Sequence, residues 1–274
     1  MKIDQVILVA TANPVYLPQW NRAARVWRTK FGIEPVLYFV GTPAEWEAAG
    51  KRGRLSEEHG VVRFLSRARS SDNPARCWQA PTTLYWAASH HPDTAGTDPV
   101  RMIAGLDVLP LGPQLLQALD DVPDTSFAVP FAGAYLPGTR HARSIGLKQL
   151  FKRGYLCCPS GFLTARASVW RSVMAVPVDY AKFIHERGRQ DGHWGGDEEF
   201  LSRRLFELDG DLRVAYLHGF YTSVWAPAEL CPGRPYVPAE VSSGRWAAVN
   251  DAKAGDPARD EWLVNIEKHI SVWQ

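Results

Sequence analysis

Three places in the sequence put acidic or imidazole groups where a chain could use them. The first is Val100-Arg101-Met102-Ile103-Ala104-Gly105-Leu106-Asp107-Val108-Leu109-Pro110-Leu111, an apolar run carrying one carboxylate near its end. Read as one fully buried strand closed by Pro110 and the Gly112-Pro113 pair, it places Asp107 at a strand's carboxyl end, where open α/β sheets bind ligands. A short Asp can equally do no more than end the strand by hydrogen-bonding the turn. The second is Trp194-Gly195-Gly196-Asp197-Glu198-Glu199, just ahead of Leu201, Leu205 and Leu208 at helical spacing. Acidic residues there cap a helix and answer its macrodipole, and Glu199 sits four residues before Arg203. A carboxylate beside two glycines can also take a proton from a hydroxyl brought close to the helix start. The third is His218, which ends the strand expected over Leu212–Leu217; a histidine in that position ordinarily hydrogen-bonds within the core.

The elements that must position these groups read as an α/β chain. Gln5–Ala10 is a buried strand, and Thr11-Ala12-Asn13-Pro14 turns out of it. A helix from about Pro18 carries Trp20, Ala23, Ala24, Trp27 and Phe31 on one face and stops at Gly32. Pro35–Val40 is a second strand ending at Gly41, and Thr42 caps a short helix with Pro43 in its first turn. Strand, helix, strand in this order is a βαβ opening and favours a parallel sheet. Val61–Leu65 is a short strand in a basic stretch (Lys51, Arg52, Arg54, Arg63, Arg67, Arg69), by default a solvated face. Residues 73–91 are helical, with Pro81 interrupting and His90-His91 at the helix end. Further on come a helix from about Pro113 to Leu119, a strand over Ser126–Phe131, a helix over Ser168–Met174 and a docking helix over Glu261–Trp273.

Composition narrows the class. At 274 residues the chain suffices for one large domain with a proper core. A net charge of +2 argues against a nucleic-acid binder held by phosphate neutralisation. Cys77, Cys157, Cys158 and Cys231 make neither a disulfide framework nor a zinc site, and suit a reducing compartment. The first strand is too short, and too soon interrupted by Asp4, to be a signal peptide, and no stretch is apolar for long enough to span a bilayer. A soluble, cytoplasmic protein is expected. No Gly-x-Gly-x-x-Gly follows the first strand, so the dinucleotide fingerprint is absent.

The segment Gly105-Leu106-Asp107-Val108-Leu109-Pro110-Leu111 resembles the Asp-x-Asp element of GT-A-type nucleotide-sugar glycosyltransferases, with Gly105 in place of its first Asp. Trp194-Gly195-Gly196-Asp197-Glu198 resembles the acidic helix start found late in the same family. The resemblance implies a GT-A-like fold, a Rossmann-like mixed sheet flanked by helices in a single domain. Residues 1–111 would form the nucleotide-donor half, 112–225 the acceptor half, and 226–274 an extension. It implies transfer of a sugar from a nucleoside-diphosphate-sugar, with a UDP-sugar favoured, to a hydroxyl of a glycan acceptor. On the donor side it assigns Thr11, Ala12 and Asn13, with Gly41, Arg101, Gly105, Leu106 and Asp107. On the acceptor side it assigns Trp194, Gly195 and Gly196, with Asp197 the first choice of catalytic base and Glu198 the second. Asp107 and His218 would ligate a divalent cation, Mn²⁺ or Mg²⁺; one carboxylate makes a weaker metal site than two. Two other readings stay open: a non-catalytic nucleotide- or glycan-binding protein on the same fold, and a sugar-phosphate nucleotidyltransferase, whose Gly-rich start is missing.

Overall fold

The computed structural model describes residues 1–53, 55–67, 79–93, 95–110, 112–131, 160–187, 196–208, 213–217, 221–222 and 246–250. Its main sheet has seven strands, in the spatial order β3-β2-β1-β4-β7-β6-β8. These are β1 (Gln5–Ala10), β2 (Glu34–Val40), β3 (Val61–Leu65), β4 (Val100–Ile103), β6 (Phe127–Val129), β7 (Thr164–Arg166) and β8 (Val214–Tyr216). β1 to β4 are mutually parallel, β7 runs antiparallel to both neighbours, and β6 and β8 are parallel. A second, three-stranded sheet joins β5 (Val108–Pro110), β10 (Trp246–Asn250) and β9 (Tyr221–Thr222), in the order β5-β10-β9.

Period-two alternation divides the sheet's side chains between two cores, as strands buried on both faces require. Val6, Leu8, Leu37, Phe39 and Met102 pack on one face with Trp20, Ala23, Ala24 and Trp27. Trp20 to Trp27 lie on a helical segment whose α1 (Trp20–Arg25) runs into a π-helical turn over Val26–Lys30. Gly32 closes it at φ +65°, a left-handed conformation that costs glycine little. On the other face Ile7, Val9, Val36 and Ile103 meet α3 (Gln79–His90), α5 (Ala167–Met174), α6 (Tyr180–Arg187) and α7 (Gly196–Glu207). Trp170 of α5 is fully buried there, with its ring edge-on to Phe127 at 4.8 Å and its indole N–H donating to the Arg101 carbonyl. α2 (Pro43–Gly53) follows β2, and α4 (Gln114–Asp120) follows β5.

Several expected elements are present: β1, β2, β3, the α1 segment with its Gly32 stop, and the Thr42 cap. Thr42 Oγ1 accepts from the Glu45 N–H, and Glu45 Oε2 accepts from the Thr42 N–H, a reciprocal capping box. That Thr42 amide, with Arg67 adding to it, holds the Glu45 carboxyl below its usual range. Two readings are corrected. Pro81 does not interrupt α3 but lies in its first turn, where a missing N–H costs nothing. The apolar run 100–111 is not one strand. β4 stops at Ile103, Ala104–Asp107 turns, and β5 leaves for the second sheet, with Val108 N–H donating to Gly105 O at 3.2 Å. The docking helix expected over Glu261–Trp273 lies outside the described residues.

Beneath α3 is a polar cluster at the amino-terminal side of the sheet. The Tyr38 hydroxyl lies 2.7 Å from His91 Nδ1. Burial, reinforced by the nearby Arg101 and Arg63 cations, pushes the His91 pKa down to about 4, while burial raises Tyr38 to about 12. Folded His91 therefore stays neutral at pH values where the unfolded chain's imidazole is already protonated. The stability this contributes is complete above about pH 6.5 and is lost as pH falls toward 4. Urea unfolding at pH 7.5 and at pH 4.5 should show the wild type losing on the order of 1–2 kcal/mol more than His91→Gln across that interval.

Candidate functional site

The carboxyl ends of the parallel strands and the entry to antiparallel β7 open onto one edge of the sheet. β1 leads there into Thr11, Ala12 and Asn13, β2 into Gly41, and β4 into Ala104–Asp107. Ala104 N–H donates to Ile7 O, and Ile103 N–H donates to Leu163 O at 2.9 Å. Because β7 is antiparallel to β4, the residues leading into it, Ser160–Leu163, stand beside β4's exit. Ser160 N–H in turn donates to Glu198 Oε1 at 3.3 Å, in the first turn of α7. The donor-motif turn and the acidic helix start thus meet at one edge through the 160–163 segment.

Each donor-side residue has a distinct setting. Asn13 Oδ1 accepts the Val15 N–H at 2.8 Å, so its side chain makes the turn. Thr11 is buried, and Ala12 is half-buried against the core. At Gly41 a Cβ would fall 2.6 Å from Phe39 Cε1 and 2.7 Å from Glu45 Oε2, so glycine is required by packing. Leu106 is buried in the α1-side core, which leaves only its backbone to face a ligand. Asp107 is partly exposed. A Cβ on Gly105 would lie 2.7 Å from Asp107 Oδ1; the carboxylate folds back over Gly105 and uses the space that a side chain at position 105 would need.

Arg101 is a correction. Its side chain is fully buried and points away from this edge, into the cluster beneath α3. The guanidinium donates to Ala88 O, His91 O and Gln5 Oε1 and pairs with Asp93. Burial lowers its pKa, and the Asp93 charge works the other way. All three guanidinium nitrogens are engaged by the fold, so the side chain is a clamp between β4 and the end of α3 and no phosphate ligand. Of the basic stretch, Arg67 is engaged at Glu45.

On the acceptor side, α7 begins at Gly196, and Asp197, Glu198 and Glu199 occupy its first turn. Phe200, Leu201 and Leu205 bury its inner face. Asp197 and Glu198 are partly exposed. The Tyr85 hydroxyl donates to the Asp197 carbonyl at 3.3 Å, and Ser202 Oγ donates to Glu198 O at 2.7 Å. Trp194 and Gly195 lie outside the described residues, as do Cys157, Cys158 and His218. The nearest described residues are Leu217 before it and Tyr221 after it. Leu217 N–H donates to Val129 O at the end of β8, and Tyr221 opens β9 in the sheet that also holds β5. Among the described residues no three His, Cys, Asp or Glu side chains cluster as a metal site, so the described part offers the single carboxylate of Asp107.

Phe162 stands on the segment that leads into β7. It is fully buried with φ +55°, a left-handed conformation that a bulky side chain adopts at a cost of about 1–3 kcal/mol. Rings of Trp27 and Phe131, at 5.6 and 5.7 Å, hold it there. Such strain, retained by packing next to a ligand edge, is a mark of a functional turn.

No protein-family model matches the sequence, and no curated protein matches it. Solved structures do. An active-site mutant of LgtC aligns with 98% of this chain and 95% of its own at a TM-score of 0.52 and 15% identity. The galactosyltransferase LgtC in complex with donor and acceptor sugar analogs aligns over 98% and 96% at a TM-score of 0.49 and 14% identity. The chain has the GT-A glycosyltransferase fold. At such identity the likeness is one of architecture, and within the GT-A frame the β4–β5 turn and the start of α7 are the positions to test. Among the described residues no helix is long and apolar enough to cross a membrane.

Replacing Arg101 by Met should lower stability by about 3 kcal/mol, since it strands the buried Ala88 and His91 carbonyls and leaves Asp93 with Arg171 alone of its two arginine partners. Denaturant unfolding measures this loss. Any nucleotide-induced rise in melting temperature should survive in the variant, because the side chain faces away from the ligand edge.

Proposed function

We propose that the protein transfers a sugar from a nucleoside-diphosphate-sugar, a UDP-sugar being favoured, to a hydroxyl of a glycan acceptor. The observation that carries this reading is the meeting of the Gly105–Asp107 turn and the first turn of α7 at the carboxyl edge of a GT-A sheet, joined by the Ser160–Glu198 hydrogen bond. Ligands bind at that edge in open α/β sheets, and the two elements bring carboxylates with separate tasks.

In this reading Thr11, Ala12, Asn13 and Gly41 border the nucleotide, and the backbone of Gly105 and Leu106 lies under the diphosphate. Asp107, with His218, would hold a divalent cation, Mn²⁺ or Mg²⁺. A carboxylate oxygen suits either ion and imidazole favours Mn²⁺. When bound, such an ion neutralises charge on the departing diphosphate. With one carboxylate where the family motif has two, affinity for the ion without nucleotide should be low. On the other side Asp197 accepts the proton of the acceptor hydroxyl as its oxygen bonds to the anomeric carbon. The bond from that carbon to the diphosphate oxygen breaks, and the nucleoside diphosphate leaves. Asp197 is partly exposed, in the first turn of the helix that faces this edge. Trp194, Gly195 and Gly196 would border that acceptor.

A thermal-shift panel of nucleoside diphosphates and nucleotide sugars, each with Mn²⁺ and with a chelator, tests the donor half. Ligand that binds only the folded state raises the melting temperature by mass action. One nucleotide should give a rise that needs Mn²⁺ and disappears in Asp107→Ala; a rise indifferent to metal removes the metal role of Asp107. For the acceptor half, Asp197→Asn should lower kcat by about 10²–10⁴-fold while the donor-induced shift remains. An Asp197→Asn protein with full turnover sinks the assignment. Slow release of nucleoside diphosphate from the donor separates a transferase from a binding protein, and release of pyrophosphate would mark a nucleotidyltransferase instead.

A further inference from the structure

We propose that Tyr85 and Glu198 are positioning residues that fix the first turn of α7, and with it Asp197, against the turn bearing Asp107. The proposal rests on the transfer reaction above and assigns Glu198 a part other than that of a second base.

Two anchors of different kinds hold this turn. The first comes from below. Tyr85 lies in the middle of α3, fully buried, its ring stacked on Trp170 at 6.5 Å and tilted against Phe200 at 6.1 Å. A hydroxyl taken to that depth must find a partner or forfeit its hydration. It donates to the carbonyl of Asp197 itself, at 3.3 Å. The contact couples the backbone of the proposed base to α3, which packs on β1 and α5. The second anchor comes from the side. Glu198 Oε1 accepts the Ser160 N–H, a hydrogen bond assisted by the carboxylate's charge. Ser160 begins the short segment whose Phe162 is locked at φ +55° and whose Leu163 carbonyl receives the Ile103 N–H. Glu198 therefore ties α7 to the segment whose Leu163 pairs with Ile103, two residues ahead of Gly105.

The chemistry gives these contacts a purpose. A displacement needs its base and its leaving-group site held in register, and an error of about 1 Å can cost 10²-fold in rate. Here the two sites sit on elements far apart in sequence. Asp197 has a partly exposed carboxylate at the very start of a helix, where ends fray. An anchor on its own carbonyl and one on the adjoining side chain remove that freedom without using the Asp197 carboxylate.

The test uses the full chain with Tyr85→Phe, Glu198→Ala, Glu198→Gln and Asp197→Asn. Tyr85→Phe should reduce kcat about tenfold with the donor KM unchanged, and Glu198→Ala about 10- to 100-fold with the donor KM unchanged. Glu198→Gln keeps an oxygen that can accept from Ser160 and should restore most of the Glu198→Ala loss, with the pH–rate profile keeping its acid limb. A Glu198→Gln protein as inactive as Asp197→Asn overturns the proposal, because Glu198 would then itself react. So would full activity in both Tyr85→Phe and Glu198→Ala. Amide hydrogen exchange reads the anchors without any turnover: Glu198→Ala should speed exchange at Ser160, and Tyr85→Phe in the first turn of α7. Unchanged exchange at both places overturns the proposal even if the chain transfers sugar. Faster exchange in a chain that transfers no sugar, under any donor of the panel, confines the failure to the transfer reading and strips the anchors of their catalytic purpose.

Discussion

β4 is bonded to a parallel strand on one side and an antiparallel one on the other, and this switch governs what the molecule can do. In an all-parallel sheet the carboxyl edge collects only the loops that leave strands. Reversing β7 brings the segment that enters a strand, Ser160–Leu163, to the same edge as the turn that leaves β4. Two stretches of chain more than fifty residues apart thereby become neighbours through the Ile103–Leu163 hydrogen bond. α7 then needs only one side-chain bond, Glu198 to the Ser160 amide, to join them. The candidate site is in this sense a property of sheet topology before it is one of any single side chain.

The ladder can carry that responsibility because its other end is secured. The Arg101 guanidinium, carried by β4, is sealed under α3 and donates to two carbonyls, Gln5 and Asp93. A charge at such depth is stabilising only when every donor is used, and it then fixes one arrangement of strand and helix. Arg171 reaches the same Asp93 from α5, so β4, the end of α3 and α5 share one polar knot. The amino-terminal edge of the sheet is the structural end, and the carboxyl edge bears the candidate site.

Much of this frame was readable in the sequence, and what escaped did so for identifiable reasons. β1, the Gly32 stop, the Thr42–Glu45 capping box and the start of α7 follow from apolar spacing and from cap and turn residues, which act locally. The break inside residues 100–111 did not follow, because a run of apolar residues has the same texture whether it forms one strand or two in different sheets. Only pairing with β10 separates β5 from β4, and pairing is non-local. Arg101 misled for a related reason: an arginine beside a ligand motif reads as a phosphate contact, while alternation along a strand sends neighbouring side chains to opposite faces. α6, β9 and β10 carried no strong pattern. The contacts of Ser160 and Tyr85 with the first turn of α7 left no pattern, since they are made by a backbone amide and a buried hydroxyl. Asp107, Asp197 and Glu198 were singled out by motif, and Trp194, Gly195 and His218 lie outside the described residues.

The second sheet gives the fold an order of assembly. β5 begins at the residue after Asp107, yet its only strand partner among the described residues is β10, with Val108 opposite Asn250. The seven strands of the main sheet are all in hand once residue 216 has been made; the strand that pins the Asp107 turn is not. Closing a loop of that span is entropically costly and late. On the ribosome, the chain would therefore carry its main sheet while the carboxyl edge still lacked the border that β10 supplies to the Asp107 turn.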